Sequence, residues 1–393
     1  MGDAVSLGRE LWARAEPGFF EKRTHEALAA AFRARGFTVE GFAGMPGFAA
    51  TVDGKLAGKT VAVVADMDGL PAGTASGAGT PAGGTPGTPA YAHLCGHHQQ
   101  MAAMYGAACA LQERSPALLG RVAFLATPAE EYVELERREE LRKAGSVRHL
   151  SGKQELVARG LFAGFRAVVA THSAHLRDSR SVNSVVAMNG LDVLRFSFRG
   201  VSAHAGATPH LGRNAQNAAS LFLQACAFLR EGFDEEKHIR IHPVLRLKPD
   251  QAVNLVPDAA FVETYARAVE SDTVAEVVRR LEAAAAGCAS ALGTTVQAER
   301  IPGYAAFHVD RGLHDALAAH AKGQDVAFVE DPFSAASSDM GDVSQVVPSI
   351  IVGLPGTNGK LHQADFRVTD EEAAYAFSGR FLAGYLERIL AKA

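Results

Sequence analysis

Residues 92–108, Ala92-His-Leu-Cys-Gly-His-His-Gln-Gln-Met-Ala-Ala-Met-Tyr-Gly-Ala-Ala108, place one thiol and several imidazoles directly before a run of small apolar residues. The run from Met101 onward favours a helix that packs closely against a sheet. The preceding glycine-broken loop carries His93, Cys95, His97 and His98. Thiolate and neutral imidazole both suit zinc or another first-row divalent ion. The stretch therefore predicts a metal-binding loop held by a buried helix, with a core cysteine and some surface histidines as the alternative.

The composition is that of an ordinary soluble globular protein. With 393 residues it exceeds what one hydrophobic core usually serves, so two domains are expected. Its net charge is -4, and it has no long run of either sign, so the charge pattern does not indicate binding to a nucleic acid or a membrane surface. A small-molecule substrate is therefore expected. The amino-terminal residues lack the pattern of a secretory signal, which predicts a cytoplasmic protein. The four cysteines are scattered singly, so a disulfide framework is not expected.

Three apolar segments, each typical of a strand buried on both faces, end in potential ligands or catalytic groups. The first ends in Asp66-Met-Asp68, the second is followed by Glu130-Glu131, and the third ends at His172. The carboxyl ends of strands are where open α/β sheets build their sites. Of two adjacent glutamates, one can ligate a metal while the other takes a proton from water. Taken singly, each carboxylate could instead belong to a solvated turn or favour a helix N-terminus.

The middle of the chain changes pattern near Val185. Residues 190–200 alternate between apolar and polar, which predicts a half-exposed strand of an antiparallel sheet. We therefore divide the chain into a first catalytic part, 1–184, an inserted domain, 185–300, and a second catalytic part, 301–393. Residues 72–89, rich in Gly, Ala, Thr and Pro, predict a loop that gates the site, and the charged segment 134–160 predicts an exposed excursion near its rim.

The order of these motifs resembles the M20 family of metallopeptidases and amidohydrolases, specifically its branch of hippurate hydrolases and hydrolases of auxin–amino acid conjugates. The resemblance covers nearly the whole chain. It rests on five motifs: Ala65-Asp-Met-Asp-Gly-Leu-Pro71, His93-Leu-Cys-Gly-His97, Pro128-Ala-Glu-Glu131, Gly200 to Asn214, and Asn254-Leu-Val-Pro-Asp258.

The resemblance implies a fold, a set of site residues and an assembly. The fold is α/β: a zinc-peptidase-like catalytic domain with a mixed sheet, plus an inserted α+β ferredoxin-like dimerisation domain. One or two divalent ions, zinc or manganese, are expected, together with a homodimer or higher homo-oligomer. Glu130 matches the general base and Asp68 a carboxylate behind the metal ligands. The expected metal ligands are Cys95, His97, Glu131, His172 and His362, and the expected substrate-binding residues are His204, His210, Asn254 and Arg267.

One departure from the family pattern concerns the metal centre itself. The branch usually continues Cys-Gly-His with Asp, whereas this chain has His98. An imidazole in place of a carboxylate changes the charge near the metal by about one unit. We therefore leave open whether His98 is a metal ligand. Whether Asp66 belongs to the site is left open as well.

Three functions are compatible with these residues. The first is hydrolysis of the amide bond of an N-acyl or N-aroyl amino acid by metal-activated water, on a substrate that carries a carboxylate. The second is hydrolytic deamination of an activated aromatic amine with release of ammonia, as in M20 relatives that resemble nitroanthranilate aminohydrolase. The third is a non-catalytic binding protein, which the presence of Glu130 and Glu131 disfavours.

Overall fold

The computed structural model describes residues 2–72, 91–176, 178–249 and 251–391. Most of the predicted gating loop, 72–89, lies outside the described residues. The strands, in chain order, are β1 (Val39–Gly41), β2 (Phe48–Asp53), β3 (Leu56–Asp66), β4 (Leu70–Pro71), β5 (Tyr91–Ala92), β6 (Leu119–Thr127), β7 (Ala167–Ser173), β8 (Ser181–Val185), β9 (Ala187–Met188), β10 (Gly190–Arg199), β11 (Arg240–Ile241), β12 (Val244–Leu247), β13 (Ala259–Ala268), β14 (Thr295–Pro302), β15 (Phe307–His308), β16 (Ala327–Asp331), β17 (Ser349–Leu354), β18 (Thr357–Asn358) and β19 (Arg367–Val368).

The helices alternate with these strands in the first and last parts of the chain. They are α1 (Gly2–Trp12), α2 (Lys22–Ala34), α3 (His97–Glu113), α4 (Leu135–Lys143), α5 (Gly152–Ala158), α6 (Ala215–Leu229), α7 (Ser271–Ala291), α8 (Arg311–Gly323), α9 (Met340–Ser344) and α10 (Ser378–Ala391). A π-helix, Glu372–Phe377, directly precedes α10. No helix in the described ranges combines the length and apolarity needed to cross a bilayer.

The chain divides into two compact units. The first comprises residues 1–186, 308–333 and 338–393, and the second comprises residues 187–307 and 334–337. The sequence-based domain boundaries at 184/185 and 300/301 stay a prediction, as does a role for the inserted segment in dimerisation.

The first unit is built on an eight-stranded mixed sheet in the order β1-β2-β6-β3-β7-β17-β8-β16. Its central strands β6, β3, β7 and β17 run parallel, while β2 is antiparallel to β6 and β8 is antiparallel to β17. This mixed sheet confirms the predicted α/β class. Parallel central strands bring their carboxyl ends to one edge, so Asp66, Thr127, Ser173 and Leu354 end adjacent strands at that edge.

The predicted helix after the histidine loop is α3, which is almost entirely buried and packs against β3 and α10. Small residues permit this packing: a Cβ on Gly379 of α10 would lie 3.0 Å from the Cα of Gly106 in α3. The helix begins at His97, four residues earlier than the apolar run predicts. The metal-ligand candidates therefore lie on and immediately before its first turn.

The second unit contains an antiparallel sheet with helices α6 and α7 packed on it. The chain order is β10, α6, β11 and β12, β13, α7 and β14, and the sheet order is β11-β13-β10-β14 with β12 also paired to β13. This is the β-α-β-β-α-β connectivity of ferredoxin-like folds. Its core forms where Phe196 and Phe198 of β10 meet Phe222 of α6 and Leu281 of α7.

The charged segment 134–160 departs from the prediction of an exposed excursion. It contains the two short helices α4 and α5, but Arg138, Lys153 and Glu155 within it are buried. Each buried charge has a partner of opposite sign or backbone acceptors, which is the condition under which charged side chains are found inside proteins.

Candidate metal centre

Cys95 and His97 are presented by the turn that starts α3. Gly96, between them, is the residue before the helix and has a left-handed backbone with φ of 81°. A side chain there would also collide with the hydroxyl of Ser173 at the end of β7. Only glycine meets both conditions, because it lacks a Cβ. The turn therefore brings the thiol and the imidazole against the carboxyl end of the sheet.

The predicted ligands come together at this edge. The Cys95 Sγ lies 3.3 Å from His172 Nε2 and 3.2 Å from His362 Nε2. His362 Nε2 also lies 3.4 Å from Glu131 Oε1. Ligand atoms within 4.8 Å of one another form three overlapping groups: Cys95 with His97 and His172, Cys95 with Glu131 and His362, and His97 with Glu130 and Glu131. The sequence-based ligand set is thus one spatial cluster, assembled from residues as far apart as 95 and 362.

Asp68 orients two members of the cluster. The Nδ1 of His97 lies 2.8 Å from the Asp68 backbone oxygen and 3.2 Å from its Oδ1. Both atoms are acceptors, so Nδ1 donates and the lone pair of Nε2 is left for the cluster. The Asp68 Oδ2 accepts a 3.0 Å hydrogen bond from the backbone N–H of Glu131. Asp68 thus lies behind the candidate ligands, where its backbone oxygen, with the carboxylate 3.2 Å from the same nitrogen, fixes the tautomer and direction of His97.

The charges within the cluster are strongly coupled. Burial and the negative charge of Glu131 act to raise the pKa of Cys95, but interactions with His172 and His362 outweigh them and lower it to about 5. Hydrogen bonds to Cys95 and Glu131 raise the pKa of His362 to about 11. In this arrangement protonated imidazole neutralises the thiolate and the carboxylate, so a metal ion that takes these ligands must displace protons.

Glu130 lies beside the ligands, with its Oε2 4.0 Å from Nε2 of His97. Burial raises the pKa of Glu130 well above its ordinary value, and the charges of Asp339, Asp66 and Glu131 add to that rise. The charge of Lys153 acts in the opposite direction. A carboxylate whose pKa is raised accepts a proton more readily than an ordinary carboxylate, and the resulting carboxylic acid can later return that proton.

A buried ion-pair network lies beneath Glu130. The ammonium of Lys153, in α5, is completely buried and donates to Asp66 at the end of β3 and to Asp339 Oδ1 at 2.7 Å. Thr127 donates to the same Asp66 carboxylate at 2.7 Å, and Ser151 donates to Asp339. The part that Asp66 plays, which the sequence left undecided, is therefore to accept hydrogen bonds from Lys153 and Thr127.

Sequence reasoning did not find Lys153 or Arg138. The Arg138 guanidinium is buried 3.7 Å from Asp68 Oδ2 and donates to the backbone oxygens of Ala129 and Leu150. Both cations belong to a segment dense in charges of both signs, where nothing in the local pattern distinguishes a buried lysine or arginine from a solvated one.

His98 is not part of any of the three ligand groups. It is completely buried, with its ring 4.6 Å from that of Trp12 and 5.9 Å from that of Tyr375. Neither ring nitrogen has a hydrogen-bond partner among the residues that the structure describes, and the same is true of the neighbouring His93. Burial lowers the pKa of His98 well below its ordinary value and that of His93 to about 3, so both rings are neutral.

The four predicted substrate-binding residues lie in the second unit. His204, His210 and Asn254 are exposed, and Arg267 is half-buried. The Nδ1 of His204 accepts hydrogen bonds from the backbone N–H groups of Gly206 and Ala207, at 3.1 and 3.0 Å. The neutral ring therefore carries its proton on Nε2, as a donor. The segment around His204 pairs with that around Asn254 through the Ala205 N–H and the Asn254 oxygen, 2.8 Å apart.

Arg267 is a half-buried arginine that lies beside an aromatic ring. Its guanidinium carbon lies 4.5 Å from the ring centre of Tyr265, and its Nε is buried without a hydrogen-bond partner among the described residues. Burial lowers the pKa of Arg267, although a guanidinium still stays charged at neutral pH.

The residues of the cluster fit a divalent metal. Nε2 of His97 is buried and has no hydrogen-bond partner within the described part of the chain, and Oε1 of Glu131 is buried 3.4 Å from Nε2 of His362. Both point into a set of thiolate, imidazole and carboxylate donors, the mixture that borderline first-row cations prefer. Five such donors, with a further carboxylate in Glu130, are more than one tetrahedral ion requires.

A comparison with models of protein families identifies the family of this chain. The model described as peptidase family M20/M25/M40 matches residues 62–388. The chain belongs to the M20 family. This confirms the recognised family, while the branch of hippurate and auxin-conjugate hydrolases stays a prediction.

Two curated relatives resemble the M20 chain over most of its length. It is 28% identical to one component chain of the p-aminobenzoyl-glutamate hydrolase of Escherichia coli, over 80% of this chain and 60% of that protein. It is 25% identical to an N-acetyl-L-cysteine deacetylase of Bacillus subtilis over 70% of this chain and 62% of that protein. The chain thus spans about three fifths of the length of these relatives.

A solved structure supports the M20 fold over the full chain. A Bacillus subtilis protein described as a dinuclear metal binding peptidase of the M20 family superposes with a TM-score of 0.78. The match covers 100% of this chain and 99% of that one at 18% sequence identity. At this identity the likeness establishes the fold.

Proposed function

We propose that this M20 chain hydrolyses the amide bond of an N-acyl or N-aroyl amino acid. The observation that carries the proposal is the position of Glu130, a buried carboxylate of raised pKa next to His97 and Glu131 in the ligand cluster. The names of two relatives, an aminobenzoyl-glutamate hydrolase and an acetylcysteine deacetylase, support a bond between an acyl group and an amino acid.

In the proposed mechanism Glu130 moves one proton twice. Its carboxylate takes a proton from the attacking water and then delivers that proton to the nitrogen of the departing amine, so the base is regenerated in each turnover. The cluster of Cys95, His97, Glu131, His172 and His362 would hold one or two divalent ions, zinc or manganese. Such ions lower the pKa of water and stabilise negative charge on the substrate carbonyl.

The remaining residues of the site position and balance these groups. Asp68 keeps His97 in the tautomer that presents Nε2 to the cluster. Lys153 opposes the accumulated charge of Asp66 and Asp339, which keeps the pKa of Glu130 from rising further. Without that cation Glu130 would be protonated over a wider pH range and could not act as a base there.

We further propose that His204, His210, Asn254 and Arg267 bind the carboxylate of the substrate. His204 offers an Nε2–H donor and Arg267 an unpaired guanidinium nitrogen, and both chemistries recognise carboxylates. By its resemblance to the family, the chain is proposed to act as a homodimer in the cytoplasm.

The experiment is a product assay on protein reloaded with zinc or manganese. Hippurate, N-acetylcysteine and 4-aminobenzoyl-glutamate are offered alongside the aromatic amine 5-nitroanthranilate, with chelator-treated protein as the control. We expect the free acid and amine from at least one acyl amino acid, in a metal-dependent reaction. Ammonia from 5-nitroanthranilate, without cleavage of any acyl amino acid, would replace the proposal with the deamination alternative.

A further inference from the structure

The first unit contains a cavity of about 980 Å³ remote from the metal centre. We call it the α10 cavity, and its lining includes Arg180, His320, Phe377, Phe381 and Arg388. Arg114, the residue after the end of α3, also borders it. His97 lies at the other end of that helix, about 26 Å from Arg114 at 1.5 Å per residue. The volume is in the range of small-molecule sites, about 300–1,000 Å³.

Two arginines at the cavity are neutralised by neighbouring carboxylates. Arg114 donates to Glu387 at 3.0 Å, and Arg380 donates to Glu372 at 2.6 Å. A further acid, Asp370, accepts the backbone N–H of Ala373 and so caps the π-helix. These acids are already engaged within the protein.

Two further arginines have no such partner. Arg180 and Arg388 both line the cavity, and neither forms an ion pair with any residue that the structure describes. The Arg180 side chain donates a long hydrogen bond, of 3.3 Å, to the backbone oxygen of Gln324. The Nε of Arg388 is buried and has no hydrogen-bond partner in the described ranges. A buried N–H donor of a charged group is costly to leave unpaired, so an anionic acceptor at this place would be stabilised.

Aromatic rings form part of the same lining. The rings of Phe377 and Phe381 lie 5.8 Å apart at an interplanar angle of 33°, and the imidazole of His320 lies 4.7 Å from the ring of Phe381. His320 donates through Nε2 to the backbone oxygen of Phe381, and burial lowers its pKa, so it adds a neutral ring. Such surfaces favour the flat apolar body of an aromatic ligand.

The cavity wall is also built from an uncommon backbone. Glu372, Ala373 and Phe377 line the cavity and belong to the π-helix. Ala374 and Tyr375 in the same segment pack against Ala102 of α3. A π-helix is rare in proteins and is found frequently at functional sites. Its position at the cavity is a second reason to assign the cavity a ligand.

We propose that the α10 cavity is a second binding site, specific for an organic anion that combines a carboxylate with an aromatic ring. Arg180 and Arg388 bind the carboxylate, and Phe377 and Phe381 contact the ring. The proposal does not depend on the reaction proposed for the metal centre.

The test is calorimetric titration of the metal-loaded protein with 2-naphthoate. Wild-type protein is compared with R180Q, R388Q and a control, R33Q, in which an exposed arginine of α2 is changed. We expect 2-naphthoate to bind, and R180Q and R388Q to weaken binding about tenfold or more, because each removes a charge-assisted hydrogen bond. R33Q should leave the affinity unchanged. Because Arg180 is exposed, R180Q tests the proposal even if R388Q fails to fold.

Two further probes examine the ligand class and the location. Inorganic phosphate and uncharged 2-naphthalenemethanol should each bind at least tenfold more weakly than 2-naphthoate, since each lacks one of the two features. The proposal is overturned if R180Q and R388Q bind 2-naphthoate as wild type does, or if phosphate binds equally well. It is also overturned if removal of the metal abolishes binding, since the ligand would then occupy the metal centre.

Discussion

Replacing Lys153 with Met should destabilise the fold and shift the pH dependence of catalysis together. The Lys153 ammonium is completely buried and contacts both Asp66 and Asp339. At 2.7 Å and an effective dielectric constant of 20, the pair with Asp339 is worth about 6 kcal/mol in gross Coulomb energy. Desolvation offsets much of this, but removal of one partner leaves two buried carboxylates without their cation. We expect the free energy of unfolding to fall by about 3–5 kcal/mol.

The catalytic effect has a definite direction. Lys153 lowers the pKa of Glu130, so its loss raises that pKa and narrows the pH range in which Glu130 is ionised. The acid limb of kcat/KM should therefore move to higher pH in K153M, measured with metal-loaded protein at a temperature where the variant is folded.

Controls separate this network from a general effect of the substitution. K59M changes an exposed lysine and should alter neither quantity. The double variant K153M/D339N removes one of the two buried carboxylates left without a cation and should recover part of the lost stability. Urea unfolding of wild type, K153M, D339N and the double variant then gives a double-mutant cycle. A loss below about 1 kcal/mol in K153M, with an unmoved acid limb, would refute the reasoning.

Three further predictions concern the metal cluster and its surroundings. D68N should weaken metal binding about 10- to 100-fold by loosening the orientation of His97, as measured by competition with a chromophoric chelator; unchanged affinity would contradict the role of Asp68. Because the pKa of His362 is raised to about 11 by its hydrogen bonds to Cys95 and Glu131, metal must displace its proton, and affinity should tighten about tenfold per pH unit between pH 6 and 8; a flat profile would contradict this. The pKa of His98 is depressed in the folded state, so its neutral form contributes stability that is present above pH 6.5 and lost as the pH falls below it. H98L should reduce that loss by about 1.4 kcal/mol per pH unit, measured by chemical unfolding of the metal-free protein. Substitution of an exposed histidine should leave the loss unchanged.

The sequence predicted the edge at which the site is built. The strands that end at Asp66, Thr127 and Ser173 are continuous apolar runs, the pattern of strands covered on both faces, and parallel pairing brings their carboxyl ends together. The small residues of α3 predicted its close packing. These features follow from local pattern, and local pattern is what a single sequence displays.

The groups that balance charge at the site were not predictable in this way. The burial of Lys153 depends on Asp66 and Asp339, which lie 87 and 186 positions away in the chain. A lysine within a charged run has no local feature that announces such partners. His362 belongs to no apolar strand or periodic helix, and only its resemblance to a family motif indicated it. The site of His98, between Trp12 and Tyr375, depends equally on segments from opposite ends of the chain.

The central claim, a metal-dependent hydrolase with Glu130 as its base, is tested most directly by E130Q compared with the exposed-site control E140Q. Metal content by elemental analysis and kcat on the substrate that wild type cleaves are measured on the same samples. We predict that E130Q retains the metal content of wild type and loses about 10²- to 10⁴-fold in kcat, because the proton acceptor is gone while the ligands remain. An E130Q protein with full metal content and unchanged kcat would contradict the account.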